Sequence, residues 1–322
     1  MPIIHESSYK RPPFYQFNGH LQTILPGMFR KVELRYERER LVLSDGDFVD
    51  LDWHAQGKNR LVLLSHGLEG NSERPYMKGM ARIFSDNDWD VLAWNCRSCS
   101  GEMNHKFRLY NHGEIGDIGQ VLAHINRTKN YDEIALIGFS MGGSITLKYL
   151  GVHGRNIPGN ITKAVAFSTP CDLRAGAKVL DERGNRMYKK RFLRKLKAKI
   201  TAKAAQFPGR LDLSKLDQIE VWRDFDEYFS APINGYRDAD EFYEQSSAKN
   251  FMAGASIPTL LVNARNDPIL TPSCSPEEIC APHPNIFLET PRQGGHVGFE
   301  LARKPFMWSE YRALEFCTAT HS

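Results

Sequence analysis

Six short runs, at residues 61–65, 90–94, 134–139, 164–168, 259–263 and Ile286–Glu289, are almost continuously apolar. A strand with one wet face alternates apolar and polar residues, whereas a continuously apolar strand is buried on both faces. Stretches with the apolar period of a helix fall between the first four runs, at 77–84, 115–126 and 142–151, and another follows the last at 306–317. This alternation restricts the fold to the α/β class, with a mostly parallel central sheet flanked by helices. A hairpin precedes it, where β-prone runs at 40–43 and 48–53 bracket the turn-forming pair Asp45 and Gly46. Before residue 40 the chain reads as irregular.

From about 171 to 250 the strands stop and charged, helical sequence takes over. One sheet interrupted by an insertion explains this better than two consecutive domains. The expectation is a single domain over 1–322, its core at about 1–170 and 251–322 and a helical cap insertion at about 171–250. Such an insertion would sit at the strand ends where α/β sites form. The chain has 322 residues, 41% hydrophobic and 25% charged, a balance that excludes intrinsic disorder, collagen and a disulfide mini-scaffold.

The net charge of +4 conceals an asymmetry, because residues 183–203 carry ten basic residues and no acid. Phe192, Leu193, Leu196 and Ile200 recur among them at helical spacing. One reading is a lid helix with its apolar side packed down and its basic side solvated. The other is peripheral contact with an anionic membrane, or attraction of acidic substrates. Nucleic acid is not an expected partner, since the segment has few interleaved aromatics and no recognised module. Neither a signal-peptide pattern nor a membrane-length apolar run is present, so a soluble, cytoplasmic protein is expected. The six cysteines then read as reduced structural thiols, Cys96 and Cys99 included.

Residues 134–143 read I-A-L-I-G-F-S-M-G-G, a G-x-S-x-G between a buried strand and a helix. That is the context of a nucleophile elbow, in which a tight turn lifts Ser140 to the top of the sheet. A serine nucleophile needs a base, and the base needs an orienting acid. Asp267 lies in R-N-D-P just past one later strand, and His296 lies in Q-G-G-H-V-G just past the next. The order Ser140, Asp267, His296 is the one this fold requires. An oxyanion hole needs two backbone N–H groups. Met141, after the nucleophile, and Leu68, in H-G-L-E-G after the strand at 61–65, are the candidates. His66 suits a loop-shaping role better than that of a base.

Together these stretches resemble the α/β-hydrolase fold superfamily, and within it the YheT-like hydrolases related to embryogenesis-associated and α/β-hydrolase-domain proteins. The closer resemblance rests on F-N-G-H-L-Q-T-I at 17–24, N-C-R-S-C-S-G at 95–101, L-Y-N-H-G-E at 109–114, A-P-I-N-G-Y at 231–236, G-F-S-M-G-G and N-D-P. Ser98 departs from it, standing where the family has glycine. The resemblance implies that Ser140, Asp267 and His296 form a catalytic triad, with carboxylesterase activity and neither metal nor organic cofactor. It also implies a soluble, bacterial-type member. The expected substrate is a small-molecule or lipid acyl ester. Alternatives are acyl transfer to an alcohol, lipase or phospholipase-like activity, and a catalytically silent binding protein. For 17–24, packing of the N-terminal arm near the site mouth and a substrate role both remain open.

Overall fold

The computed structural model describes residues 2–320. Among them, nine strands form one sheet: β1 (Ile3–Ile4), β2 (Glu37–Val42), β3 (Phe48–His54), β4 (Arg60–Ser65), β5 (Asp90–Asn95), β6 (Glu133–Phe139), β7 (Ile161–Phe167), β8 (Thr259–Val262) and β9 (Ile286–Glu289). Their spatial order is β1-β9-β8-β7-β6-β4-β5-β3-β2. Neighbours run parallel except where β3 meets β2 and β5, so the hairpin read around Asp45 and Gly46 supplies the antiparallel edge.

The central strands are dry on both sides because successive side chains enter different cores. Leu61 and Leu63 of β4 pack in one apolar cluster and Val62 and Leu64 in the other. The first cluster includes apolar residues of α3 (Gly116–Thr128) and α4 (Met141–His153). The second includes those of α2 (Pro75–Ser85) and α11 (Trp308–Thr318). Proline at the first position of α2 removes an amide that no helical carbonyl could have accepted.

Two elements occupy the stretch read as irregular. β1 pairs with β9 and covers the sheet edge. Helix α1 (Gly19–Phe29) starts at Asn18, whose side chain accepts the Leu21 N–H at 2.9 Å. Its sequence has no sustained apolar period, but an Asn cap is a helix-start signal.

Between β7 and β8 the chain forms α5 (Leu173–Leu180), α6 (Arg186–Gln206), α7 (Trp222–Phe225), α8 (Ala231–Ile233) and α9 (Ala239–Ser246), with a π-helical turn at Asp226–Ser230. The short α10 (Glu277–Cys280) follows β8. The inserted helices enclose a third apolar cluster that includes Leu196, Ile200, Trp222, Phe225 and Phe242. Helix α6 differs from the expectation of a wholly solvated basic side. Lys195, Lys199 and Lys203, spaced four apart, turn inward beside Leu196 and Ile200. Lys203 is fully buried and donates to the Asn104 and Lys106 carbonyls at 2.5 Å each. Lys199 pairs with Glu69 at 2.8 Å. A lysine stem is apolar, so it can line a core while its ammonium reaches carbonyl oxygens beyond.

All six cysteines are free and buried. No described helix is long and apolar enough to cross a membrane.

Candidate active site

The turn from β6 into α4 places Ser140 at φ 52°, ψ −119°, a conformation that non-glycine residues rarely adopt. Such strain costs on the order of 1–3 kcal/mol and persists only where the surroundings enforce it. Here the Ser140 N–H donates to the Phe167 carbonyl at 2.9 Å, and its carbonyl accepts the Ser144 N–H at 3.1 Å. The flanking glycines allow the crossing. A Cβ on Gly138 would stand 2.3 Å from the Gly142 carbonyl oxygen, and one on Gly142 would stand 2.2 Å from that of Ser65.

The loops after β8 and β9 bring the other two residues to the serine. His296 Nε2 lies 2.9 Å from Ser140 Oγ, and its Nδ1 lies 2.8 Å from Asp267 Oδ2. The other Asp267 oxygen accepts the Ile269 N–H at 3.0 Å. Asp267 is buried and His296 is partly so. The three residues picked out by chain order and strand ends therefore meet in one hydrogen-bonded line.

Leu68 and Met141 also lie beside the serine. Met141 is buried at the start of α4, and Leu68 borders the same cavities as Ser140 and His296. The amides on either side of Leu68 are committed, Gly67 N–H to the Tyr76 hydroxyl at 3.0 Å and Glu69 N–H to the Tyr110 hydroxyl at 3.2 Å. Among the described residues nothing accepts the Leu68 N–H itself. His66 shapes this loop. Its Nε2 accepts the Cys96 N–H at 3.0 Å, and burial pushes its pKa down to about 4.

Four contributors escaped the sequence reading, and three of them fall in or next to the 17–24 motif or the N-D-P stretch. Thr23 Oγ1 accepts the His296 N–H at 2.9 Å. Gln22 Oε1 accepts from the Gly294 N–H at 2.8 Å and from Asn266 Nδ2 at 2.9 Å, while Asn266 Oδ1 accepts the Gly295 N–H at 3.1 Å. The fourth, Ser168, accepts the Val297 N–H at 2.9 Å. A Cβ on Gly19 would lie 2.0 Å from the Asn266 carbonyl oxygen, so α1 can press against this loop only with glycine there. Gln22 and Thr23 of the 17–24 motif thus pack the N-terminal arm against the loops that carry Asp267 and His296, and Thr23 and Ile24 also border a cavity that Ser140 and His296 line.

Ser140 opens into a cavity of about 990 Å³, open mouth included, lined chiefly by side chains of the inserted helices such as Leu173, Leu196, Ile200, Trp222, Phe225 and Phe242. Its polar lining includes Asp226, whose pKa burial raises to about 6.

A nucleophile-type turn at the end of parallel strand β6, facing an acid and a histidine from the ends of β8 and β9, defines a class, and the sequence comparison gives it. The family model for the alpha/beta hydrolase fold matches residues 60–302, and the chain belongs to that family. The chain is 35% identical over 311 residues to the Escherichia coli (strain K12) protein bearing the esterase name YheT, across 94% of this chain and 90% of that one. Similarity extends to human phospholipase ABHD3, at 26% identity over 92% of this chain and 75% of the relative. Among solved structures the Pyrococcus furiosus esterase Pf2001 superposes with a TM-score of 0.59 at 18% identity, covering 88% of this chain and 90% of that one, which is a likeness of fold.

Proposed function

We propose that this chain is a serine hydrolase that cleaves carboxylic esters through a Ser140–His296–Asp267 triad and an acyl-enzyme. The observation that carries the reading is the line from Ser140 Oγ through His296 to Asp267, at 2.9 and 2.8 Å, opening into an apolar cavity. His296 Nε2 takes the hydroxyl proton as Ser140 Oγ attacks the ester carbonyl. Asp267 holds the imidazole in the tautomer with a proton on Nδ1 and stabilises the imidazolium that forms. The Leu68 and Met141 amides donate to the tetrahedral oxyanion, supported by the α4 N-terminus. His296 then protonates the departing alcohol, and water, deprotonated by the same nitrogen, releases the acid. The inserted helices at about 171–250 act as a cap whose apolar inner side receives the acyl chain. The esterase and phospholipase names of the relatives agree with an acyl ester substrate.

The test is hydrolysis of p-nitrophenyl octanoate by wild type and by Ser140→Ala. The variant should lose about 10⁴-fold or more in kcat while keeping its circular dichroism and melting temperature. A fluorophosphonate should label the wild type alone. Turnover retained by Ser140→Ala would overturn the assignment.

A further inference from the structure

Ser140 and His296 border a second cavity as well, between α1, the Leu68 loop and the flank of α6. Its character is different. Three cations line it, Arg74, Arg191 and Lys195, against a single carboxylate, Glu69. That carboxylate is already engaged, by Lys199 at 2.8 Å and by the Tyr110 hydroxyl, which donates to it. Arg74 Nη2 and Lys195 Nζ converge instead on a neutral acceptor, the Glu69 carbonyl oxygen, at 2.9 and 3.2 Å. Among the described residues no carboxylate pairs with Arg74, Arg191 or Lys195. Burial and the neighbouring Arg74 charge push the Lys195 pKa down. Like charges drawn to one oxygen repel each other, and partial burial strengthens that repulsion. An anion between them would relieve it. Arg191 and Lys195 are four apart, so they project from the same side of α6 toward Arg74 on the opposite wall. Guanidinium groups suit the paired oxygens of phosphate and carboxylate.

We infer that this cavity is an anion subsite, and that the preferred substrate is an ester with an apolar acyl chain in the first cavity and a phosphate or carboxylate on its alcohol portion in the second. The inference rests on the reading of Ser140 as nucleophile, which sits where the two cavities meet. It assigns Arg74, Arg191 and Lys195 to substrate selection, a task separate from the proton transfers and oxyanion stabilisation of ester cleavage.

The experiment compares three octanoyl esters below their aggregation concentrations: 1-octanoylglycerol, 1-octanoylglycerol 3-phosphate and O-octanoyl lactate. At low ionic strength kcat/KM for an anionic ester should exceed that for the neutral one by about tenfold or more, and the ratio should shrink as salt is added. Preference for the phosphate ester alone, or the lactate ester alone, identifies which anion fits. Arg191→Ala with Lys195→Ala should lower the anionic-to-neutral ratio by about tenfold, and Arg191→Glu, at an exposed position, should lower it without risk to folding. Binding gives a readout that needs no turnover. Octyl phosphate should bind Ser140→Ala about tenfold more tightly than it binds that variant carrying Arg191→Ala and Lys195→Ala as well. Turnover with no anionic preference, or a preference seen only with aggregated esters, would overturn the subsite and leave the hydrolase reading standing. No turnover and no fluorophosphonate labelling, with octyl phosphate still bound through Arg191 and Lys195, would overturn the hydrolase reading and leave the anion site.

Discussion

Gln22 neither touches Ser140 nor reaches the cavity by any hydrogen bond, yet it holds three segments in register. Fully buried, it accepts from the Gly294 amide and from Asn266, and it donates to the Gln16 carbonyl at 2.7 Å and to Gln293 at 3.1 Å. Replacing it with Leu keeps the volume but leaves the Gly294 N–H unpaired and frees the histidine loop to shift. Because a displacement of about 1 Å can cost about a hundredfold in rate, Gln22→Leu should lower kcat roughly ten- to a hundredfold with KM changed less than about twofold. A lower melting temperature with kcat intact would make Gln22 a stability residue only. Its role is invisible in sequence because the loops it ties together, through Asn266, Gln293 and Gly294, lie more than 240 positions away. Ser140, Asp267 and His296 were legible because each sits just past a strand that hydrophobicity alone identifies. Ser98 shows the reverse case. It takes the left-handed φ of 61° that glycine would take freely, and its Oγ sits 2.6 Å from Asn104 Oδ1 and accepts the Asn104 N–H at 3.0 Å. The departure from the family pattern thus exchanges backbone ease for side-chain contacts.

Helix α6 shows how far composition misleads about an element. A run of ten basic residues reads as a solvated face, but the lysines divide by position along the helix. Lys203 serves two core carbonyls and Gln206 Oε1 from a fully buried site, whereas Lys190 is exposed. Lys203→Met should destabilise the fold by about 2 kcal/mol, the cost of leaving buried acceptors without a donor. Lys190→Met should stay within about 0.5 kcal/mol of wild type. Urea titrations of the two variants decide it, and equal effects would show that the buried ammonium contributes nothing. Helix periodicity revealed Leu196 and Ile200, but it could not reveal that lysines beside them also point inward. That depends on which carbonyls of the 95–110 region end up opposite. Helix α1 stayed hidden for a related reason, since it is fixed by polar contacts to distant loops rather than by an apolar stripe.

For the whole molecule, the cavity lined by the inserted helices carries a pH signature. Asp226 is buried among apolar side chains, receives the Tyr243 hydroxyl at 2.8 Å, and has its pKa raised by burial from 3.8 to about 6. The folded state therefore binds this proton more tightly than the unfolded chain does. Its ionisation cost is absent below about pH 4, grows between about 4 and 6, and is complete above. Asp226→Asn should raise unfolding free energy at pH 7.5 by on the order of 3 kcal/mol and leave it nearly unchanged at pH 4. A pH-independent difference between the two proteins would refute the linkage. The mostly parallel sheet, its hairpin and the placing of the three candidate residues at strand ends were readable as pattern, whereas the strand order was not. The cavities were not, because their shape comes from how the inserted helices close over the strand ends. One contact bears on how the protein is made. The hydrogen bond from the His296 amide to Thr23 joins residues 273 positions apart. A ribosome adding about 5–20 residues per second needs roughly 15–55 s between them. Throughout that interval α1 has no His296 loop to dock on, so the N-terminal arm emerges first and is fixed among the last. Nascent chains halted before His296 carry Ser140 but not the histidine, so the proposed triad can be complete only once residue 296 has been added.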